Sequence, residues 1–382
     1  MKRLLPLFLA VLILLVSVPV SARADAAAPN TSAQAAILIH ADTGQVLYAH
    51  NADERLGIAS VTKIMTAYVV LQNCKPDEKV QITREDVNVE GSSMYLKSGE
   101  TYTVEQLLYG LMLASGNDAA MALARHCAGS VPAFADLMNA EAARLGMTDS
   151  HFENPHGLDA KGHYSSARDL GILTAAAMQN ADFEKIVSTR SITIQNQTYV
   201  NHNRLLSSCE GCLGVKTGYT TSAGRSLVSC VERDGLELIC VTLNDPDDWD
   251  DHMALYNWGF ANFSCGVAVP AGEFMRIPVI SGAAGDVGVA PEEEAAFLLQ
   301  RDQALTLRVN LPRFVFAPIE EGSVAGNVEV YVAGELVGTV PLYYGVSVEK
   351  QKVLNFSPLE RFQQIFALAR ANGARIAVLE GC

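Results

Sequence analysis

The chain has 382 residues, 49% of them hydrophobic, and a formal net charge of −14. Such a length and apolar content can bury a large core and predict two domains, and the acidic balance excludes the basic footprint of a nucleic-acid binder. Residues 1–24 stand apart: Lys2 and Arg3 precede the apolar run LLPLFLAVLILLV, and VSARA supplies small residues for cleavage. This reads as a secretory signal peptide, with an uncleaved anchor as the alternative, and places the protein outside the cytoplasm, in the cell envelope or secreted.

After the polar leader PNTSAQ, AAILIHA and QVLYAHN are two short β runs joined by DTG, a hairpin pattern. The stretch ASVTKIMTAYVVLQN has helical length and spacing, and a mostly helical region runs on to about residue 190. Within it, Thr103 and Gln106 form a capping box ahead of TVEQLLYGLMLAS, NDAAMALARHCAG continues as a second helix, and Ser166 with Asp169 caps DLGILTAAAMQ. Strand patterns return in RSITIQNQTYV, GVKTGYT and GRSLVSCVERDGLELICVTLN, and the helix DHMALYNWGFANF follows. Strands at both ends with helices between predict an α/β (α+β) fold: one antiparallel sheet with helical layers, over residues 33–265. Residues 271–349 show short alternating segments broken by Gly and Pro (LTLRVNL, NVEVYVAG, ELVGTVPLY) and predict a separate small all-β domain. From 357 to 382 an apolar stripe of Leu359, Phe362, Ile365, Phe366 and Ala369 predicts an amphipathic helical tail, either packed on the β domain or touching a membrane surface.

The eight cysteines have no single reading. Cys209 and Cys212 form one CxxC, a local disulfide or two free thiols, without the second pair of a zinc site. Around the RDG turn at 233–235, a two-residue Asp-Gly loop sets Ser229 opposite Cys240, so Cys230 and Cys240 face opposite ways and no bridge is expected. Cys74 and Cys127 read as buried, inert helix residues, and Cys382 matches no prenylation pattern. The acidic string DPDDWDDH lacks EF-hand spacing and reads as a loop entering a helix. His156 in NPHGL reads as a loop brace rather than a general base.

Three short motifs carry the chemistry. Ser60 and Lys63 lie three apart on one helix face, so the amine can reach the hydroxyl, and apolar neighbours such as Ile64 and Met65 disfavour its charged form. Ser115-Gly116-Asn117 sits at a break between two apolar helices, where a loop projects polar groups. Lys216-Thr217-Gly218 lies on a strand, with Lys216 and the bare Gly218 on one face, where another backbone can approach closely. Each motif alone is common, but their order on helix, helix break and strand is the S-x-x-K, S-x-N, K-T-G combination of penicillin-binding proteins and serine β-lactamases.

With the flanks ADTGQVLYAHNADERLGIASVTKIMTAY, LLYGLMLASGNDAAMALA, FENPHGLDAKGHYSSARDL and GVKTGYTTSAGRSLV, the chain resembles the exported D-alanyl-D-alanine carboxypeptidases, the low-molecular-mass penicillin-binding proteins. The resemblance implies a β-lactamase/transpeptidase-like catalytic domain and the usual C-terminal β domain. It implies Ser60 as nucleophile, Lys63 as base and Ser115 as proton relay. Asn117 would hold the substrate amide, Lys216 and Thr217 the terminal carboxylate, and the backbone N–H groups of Ser60 and Tyr219 the oxyanion beside Gly218. The partners implied are peptidoglycan stem peptides ending in D-Ala-D-Ala and β-lactam antibiotics; no cofactor and no metal are implied. Where relatives carry an arginine near substrate, NHNRLL has His202, with Arg204 two residues on; SSCEGCLG lengthens the approach to the third motif. Three rivals remain: a β-lactamase, for which EAARLG at 141–146 does not match the E-x-x-L-N segment; an endopeptidase with the same site; and a non-catalytic sensor of stem peptides or penicillin.

Overall fold

The computed structural model describes residues 27–301, 303–351, 357 and 359–363. The signal-peptide reading of residues 1–24, most of the tail reading over 357–382, and Cys382 lie outside them. The core of the first region is a five-stranded sheet of β1 (Ala35–His40), β2 (Val46–His50), β3 (Cys212–Thr220), β4 (Gly224–Arg233) and β5 (Leu236–Leu243). Its order is β2-β1-β5-β4-β3, every pair antiparallel, so both ends of the region meet at the β1–β5 seam.

Period-two alternation along the strands feeds two cores. On one face Ile37 and Ile39 join Leu170, Leu173 and Ala177 of α5 (Ala167–Met178) in the large core; on the other Leu38 and Leu238 meet Leu255 and Tyr256 of α7 (Asp248–Asn262). The register pairs Ser229 with Cys240 and Cys230 with Ile239, and the two thiols fall into these two opposite cores. RSITIQNQTYV does not join the sheet: it forms its own two-stranded ribbon, 191–194 with 197–200.

The other helices of two turns or more are α1 (Lys63–Asn73), α2 (Val104–Leu113), α3 (Asn117–Ala128), α4 (Val131–Leu145) and α6 (Ala181–Ser188). Helix α1 is buried from Lys63 to Val70, the signature of a helix wrapped by others rather than one with a wet face. Helix α2 starts on the expected capping box, with Gln106 N–H donating to Thr103 Oγ1 (3.1 Å) and Thr103 N–H to Gln106 Oε1 (2.8 Å). At α5 the cap is one-sided: Ser166 accepts from Asp169 N–H, while the Asp169 carboxylate accepts from Ser150 Oγ and Asp149 N–H. Cys74 is the residue that ends α1, and both it and Cys127 are half-buried and in contact with one another. The expectation of buried helix residues is corrected in degree, since both are only half-buried and Cys74 stands at the helix end; the inert reading agrees with thiol pKa values that burial raises, to about 12 for Cys74.

The acidic string opens α7, with Asp248, Asp250 and Asp251 in the first turn, where they complement the helix dipole. Between Phe263 and Tyr344 the regular elements are all β strands, including a six-stranded sheet centred on the hairpin Val324–Val332 and Glu335–Tyr344, and the described tail residues 359–363 are helical. Its core is aliphatic, with Val287, Val289, Val328, Val330 and Leu342 fully buried.

Candidate active site

Ser60 lies on a 3-10 turn, Ala59–Thr62, that leads into α1 at Lys63. Ala59 holds a left-handed φ of 45°, an unfavourable conformation for a residue with a Cβ, and it aims the next residue out of the helix line. Lys63 Nζ donates to Ser60 Oγ at 3.0 Å, to Asn117 Oδ1 at 2.8 Å and to the His156 carbonyl at 2.6 Å. The amine is wholly buried, and desolvation, followed by the nearby positive charge of Lys216, holds its pKa well below the usual lysine value.

Ser115, also left-handed (φ 59°), forms the break between α2 and α3. Asn117 is the first residue of α3, and its Nδ2 donates to the Glu90 carbonyl at 2.6 Å while its Oδ1 accepts from Lys63. Its neighbour Asp118 accepts from Ser93 Oγ and from the N–H groups of Met94 and Leu96, fastening the 91–96 loop over the helix start. Lys216, 1% exposed, donates from Nζ to the Thr217 carbonyl, and burial pushes its pKa down to about 7.

Gly218 marks where β3 meets the Ser60 turn. A Cβ there would stand 3.1 Å from Ile58 O and Val61 N and 3.2 Å from Ser60 N, so a side chain would press the strand edge away from the Ser60 turn. The N–H groups of Ser60 and Tyr219 thus belong to two backbones in near contact. Gly157 (φ +85°) does the same for the NPHGL loop: a Cβ would overlap the Ala59 carbonyl. This is how the His156 carbonyl reaches Lys63; the His156 ring accepts from Leu158 N–H through Nδ1.

Ser60, Ser115, Thr217, Gly218 and Tyr219 line one cavity of about 320 Å³. Lys63, Asn117 and Lys216 stand behind that wall rather than in it. His202 and Arg204, left open by the sequence, both line it, and so do Arg225, Asp248 and Trp249, which motif reading missed. Arg225 holds Asp248 through two bonds of 2.7 and 2.9 Å, and the Arg204 guanidinium lies 5.9 Å from the Trp249 ring centre. Asp248 is the sole carboxylate of that lining, and Glu141 of EAARLG pairs with Arg144 (2.8 Å) on α4. The missed carbonyls of Glu90 and His156 are backbone atoms with no side-chain signature; the glycine of NPHGL was the readable hint.

Comparisons with known proteins identify the family. Residues 22–247 match the family model for D-alanyl-D-alanine carboxypeptidases, and 269–350 match the C-terminal domain of penicillin-binding protein 5. The chain is 34% identical to D-alanyl-D-alanine carboxypeptidase DacC of Escherichia coli (strain K12), over 85% of this chain and 86% of the relative. With DacF of Bacillus subtilis (strain 168) it shares 30%, over 93% and 97%. Its fold is similar to that of penicillin binding protein 5 from Haemophilus influenzae, with a TM-score of 0.70, 29% identity, and 85% of this chain and all (100%) of that one covered. The chain therefore belongs to the D-alanyl-D-alanine carboxypeptidases, serine-type hydrolases of the low-molecular-mass penicillin-binding proteins.

Proposed function

We propose that Ser60 carries the reaction, and the observation that supports this is the buried Lys63 amine 3.0 Å from its hydroxyl. Ser60 Oγ attacks the carbonyl between the two D-alanines of a stem peptide as its proton passes to Lys63. The C–N bond breaks, Ser115 relays the proton to the leaving amine, and free D-alanine departs. Water then hydrolyses the Ser60 ester and restores the serine. The N–H groups of Ser60 and Tyr219 hold the oxyanion at the gap that Gly218 keeps open. Lys216 and Thr217 bind the terminal carboxylate, whose charge raises the Lys216 pKa again on arrival. In the substrate complex Asn117 turns its amide toward the peptide. A penicillin presents its ring carbonyl to the same oxygen and forms a long-lived ester, because the cavity's carboxylate is already tied to Arg225 and leaves no deacylating base of the β-lactamase kind.

The chain is divided, in this reading, into a signal peptide (1–24), a catalytic domain (33–265), a β domain (271–349) and a tail (357–382) that touches the outer face of the cytoplasmic membrane. Among the described residues no helix is long and apolar enough to cross a membrane. Deleting residues 357–382 and fractionating cells tests the tail; an unchanged membrane fraction removes it from the account. The chemistry is tested by incubating the protein with a diacyl-Lys-D-Ala-D-Ala peptide and with benzylpenicillin, followed by mass spectrometry. D-Alanine release and a penicilloyl adduct on Ser60, absent in Ser60→Ala, are expected. Rapid penicillin turnover with an inert peptide would show a β-lactamase instead, and an adduct without peptide hydrolysis a sensor.

A further inference from the structure

A second cluster of reactive side chains lies at the opposite ends of the two helices that carry Lys63 and Asn117. Cys74 ends α1, Glu78 follows after the KPD turn, and His126 stands in the last turn of α3. Their sulfur, oxygen and nitrogen donor atoms all lie within 4.8 Å of one another, each side chain half-buried, and Cys127 touches Cys74. We propose that Cys74, Glu78 and His126 form a structural site for a zinc-like divalent cation.

The donors are held ready by contacts that leave the coordinating atoms free to converge. Glu78 Oε1 accepts from Lys75 N–H at 2.8 Å, which turns Oε2 toward His126 Nε2 at 3.0 Å. The Cys74 backbone is anchored by its own N–H on the Val70 carbonyl at 2.8 Å. A tetrahedral zinc site, with bonds of about 2.0–2.1 Å to N and O and about 2.3 Å to S, has donor–donor edges of about 3.3–3.6 Å. The cluster needs to contract by only about 1 Å at its widest, within the reach of rotamer adjustment in half-exposed side chains. A mixed S, N, O set suits zinc and excludes calcium and magnesium, which take oxygen ligands. Water completes the tetrahedron, and Cys127 touches Cys74 at its edge. Binding displaces the Cys74 thiol proton, and the 3.0 Å contact between Glu78 and His126 gives way to two bonds to one cation.

The site is far from the chemistry: eleven residues of α1, at about 1.5 Å each, separate it from Lys63 by roughly 16 Å. Its effect is to clamp the far ends of α1 and α3, and therefore to stabilise the fold without touching the reaction. The test uses the untagged full chain, reduced and freed of metal by a chelator, then titrated with Zn²⁺ and separately with Co²⁺. One tightly held zinc per chain, a thiolate-to-cobalt absorption band, and a rise in Tm of about 5–10 °C at saturating zinc are expected. Cys74→Ser and His126→Gln should each lose the retained metal and the Tm rise while keeping D-alanine release unchanged. The cobalt band in the wild-type chain reads the thiolate directly, so a variant that fails to fold leaves the question decidable. The proposal is overturned if the wild-type chain retains no zinc, if both variants bind as the wild type does, or if peptide mapping of the protein as isolated finds Cys74 and Cys127 joined in a disulfide.

Discussion

The helix-rich region and the β region that follows it bury very different groups. The first hides two lysines, three asparagines, three histidines and several aspartates among its apolar core, Lys63, Lys216, Asn117, Asp118 and His252 among them. Past Phe263, the buried set among the described residues is apolar throughout, from Ala268 to Val348. Burying an amine is costly unless its donors are met, so the first region has to supply specific acceptors at specific places, and it does so with carbonyls, an amide and a hydroxyl. The second needs only volume and strand pattern. The proposed chemistry therefore sits where burial is most demanding, while the β region is packed on apolar volume alone.

That contrast can be broken at several points. The largest effect is expected from Lys63→Ala, which removes the amine proposed as base: the acylation rate by benzylpenicillin, followed by mass spectrometry, should fall by on the order of 10²–10⁴. A variant that acylates at the wild-type rate would take the amine out of the mechanism. Next comes Gly218→Ala, whose Cβ has to push apart β3 and the Ser60 turn. We expect kcat/KM for the peptide to fall by about 10²-fold through the oxyanion contacts, with the fold retained by circular dichroism; undiminished turnover would separate the strand edge from the site.

The pH dependence gives a smaller and signed effect. Lys216 has its pKa lowered from 10.5 to about 7 in the folded chain, so between those values the unfolded chain binds the extra proton. Its contribution to stability therefore rises with pH over that window, while carboxylate binding weakens as the charge is lost above about pH 7. We expect kcat/KM to fall on the basic side, and Lys216→Arg to lower the rate but move that limb upward, since arginine keeps its charge. A basic limb that stays in place would assign it to another group. The smallest effect on activity is expected from Leu342→Ala in the β region: about 2–5 kcal/mol of local stability lost by denaturant titration, with peptide kcat/KM unchanged. A matching loss of kcat/KM would show that the β region does more than pack.

Much of this was legible in the residues. The three motifs, the hairpin register that separates Cys230 from Cys240, and the capping box of α2 follow from spacing and periodicity, which act over a few residues. What escaped depends on contacts between distant segments. The carbonyls of Glu90 and His156 that hold the amide and the amine are backbone atoms, identical in every residue type. The left-handed turns at Ala59 and Ser115 are imposed by packing and run against what those residues prefer locally. Arg225, Asp248 and Trp249 reach the cavity from a strand and a helix start with no motif of their own. The Cys74–Glu78–His126 cluster joins the ends of two helices about fifty residues apart in the chain, which no local pattern records.

The three bonds around Lys63 have a directional consequence. An ammonium has three hydrogens to give, and it has three acceptors here, so the charged form is fully matched. When the amine gives up one proton, two N–H groups and one lone pair remain for the same three neighbours. The Asn117 amide oxygen and the His156 carbonyl can only accept, and each keeps an N–H. Ser60 is the one neighbour able to reverse its role and donate. Deprotonation therefore points the lone pair at the Ser60 hydroxyl without any movement of heavy atoms, and the two passive acceptors serve as a compass for the base.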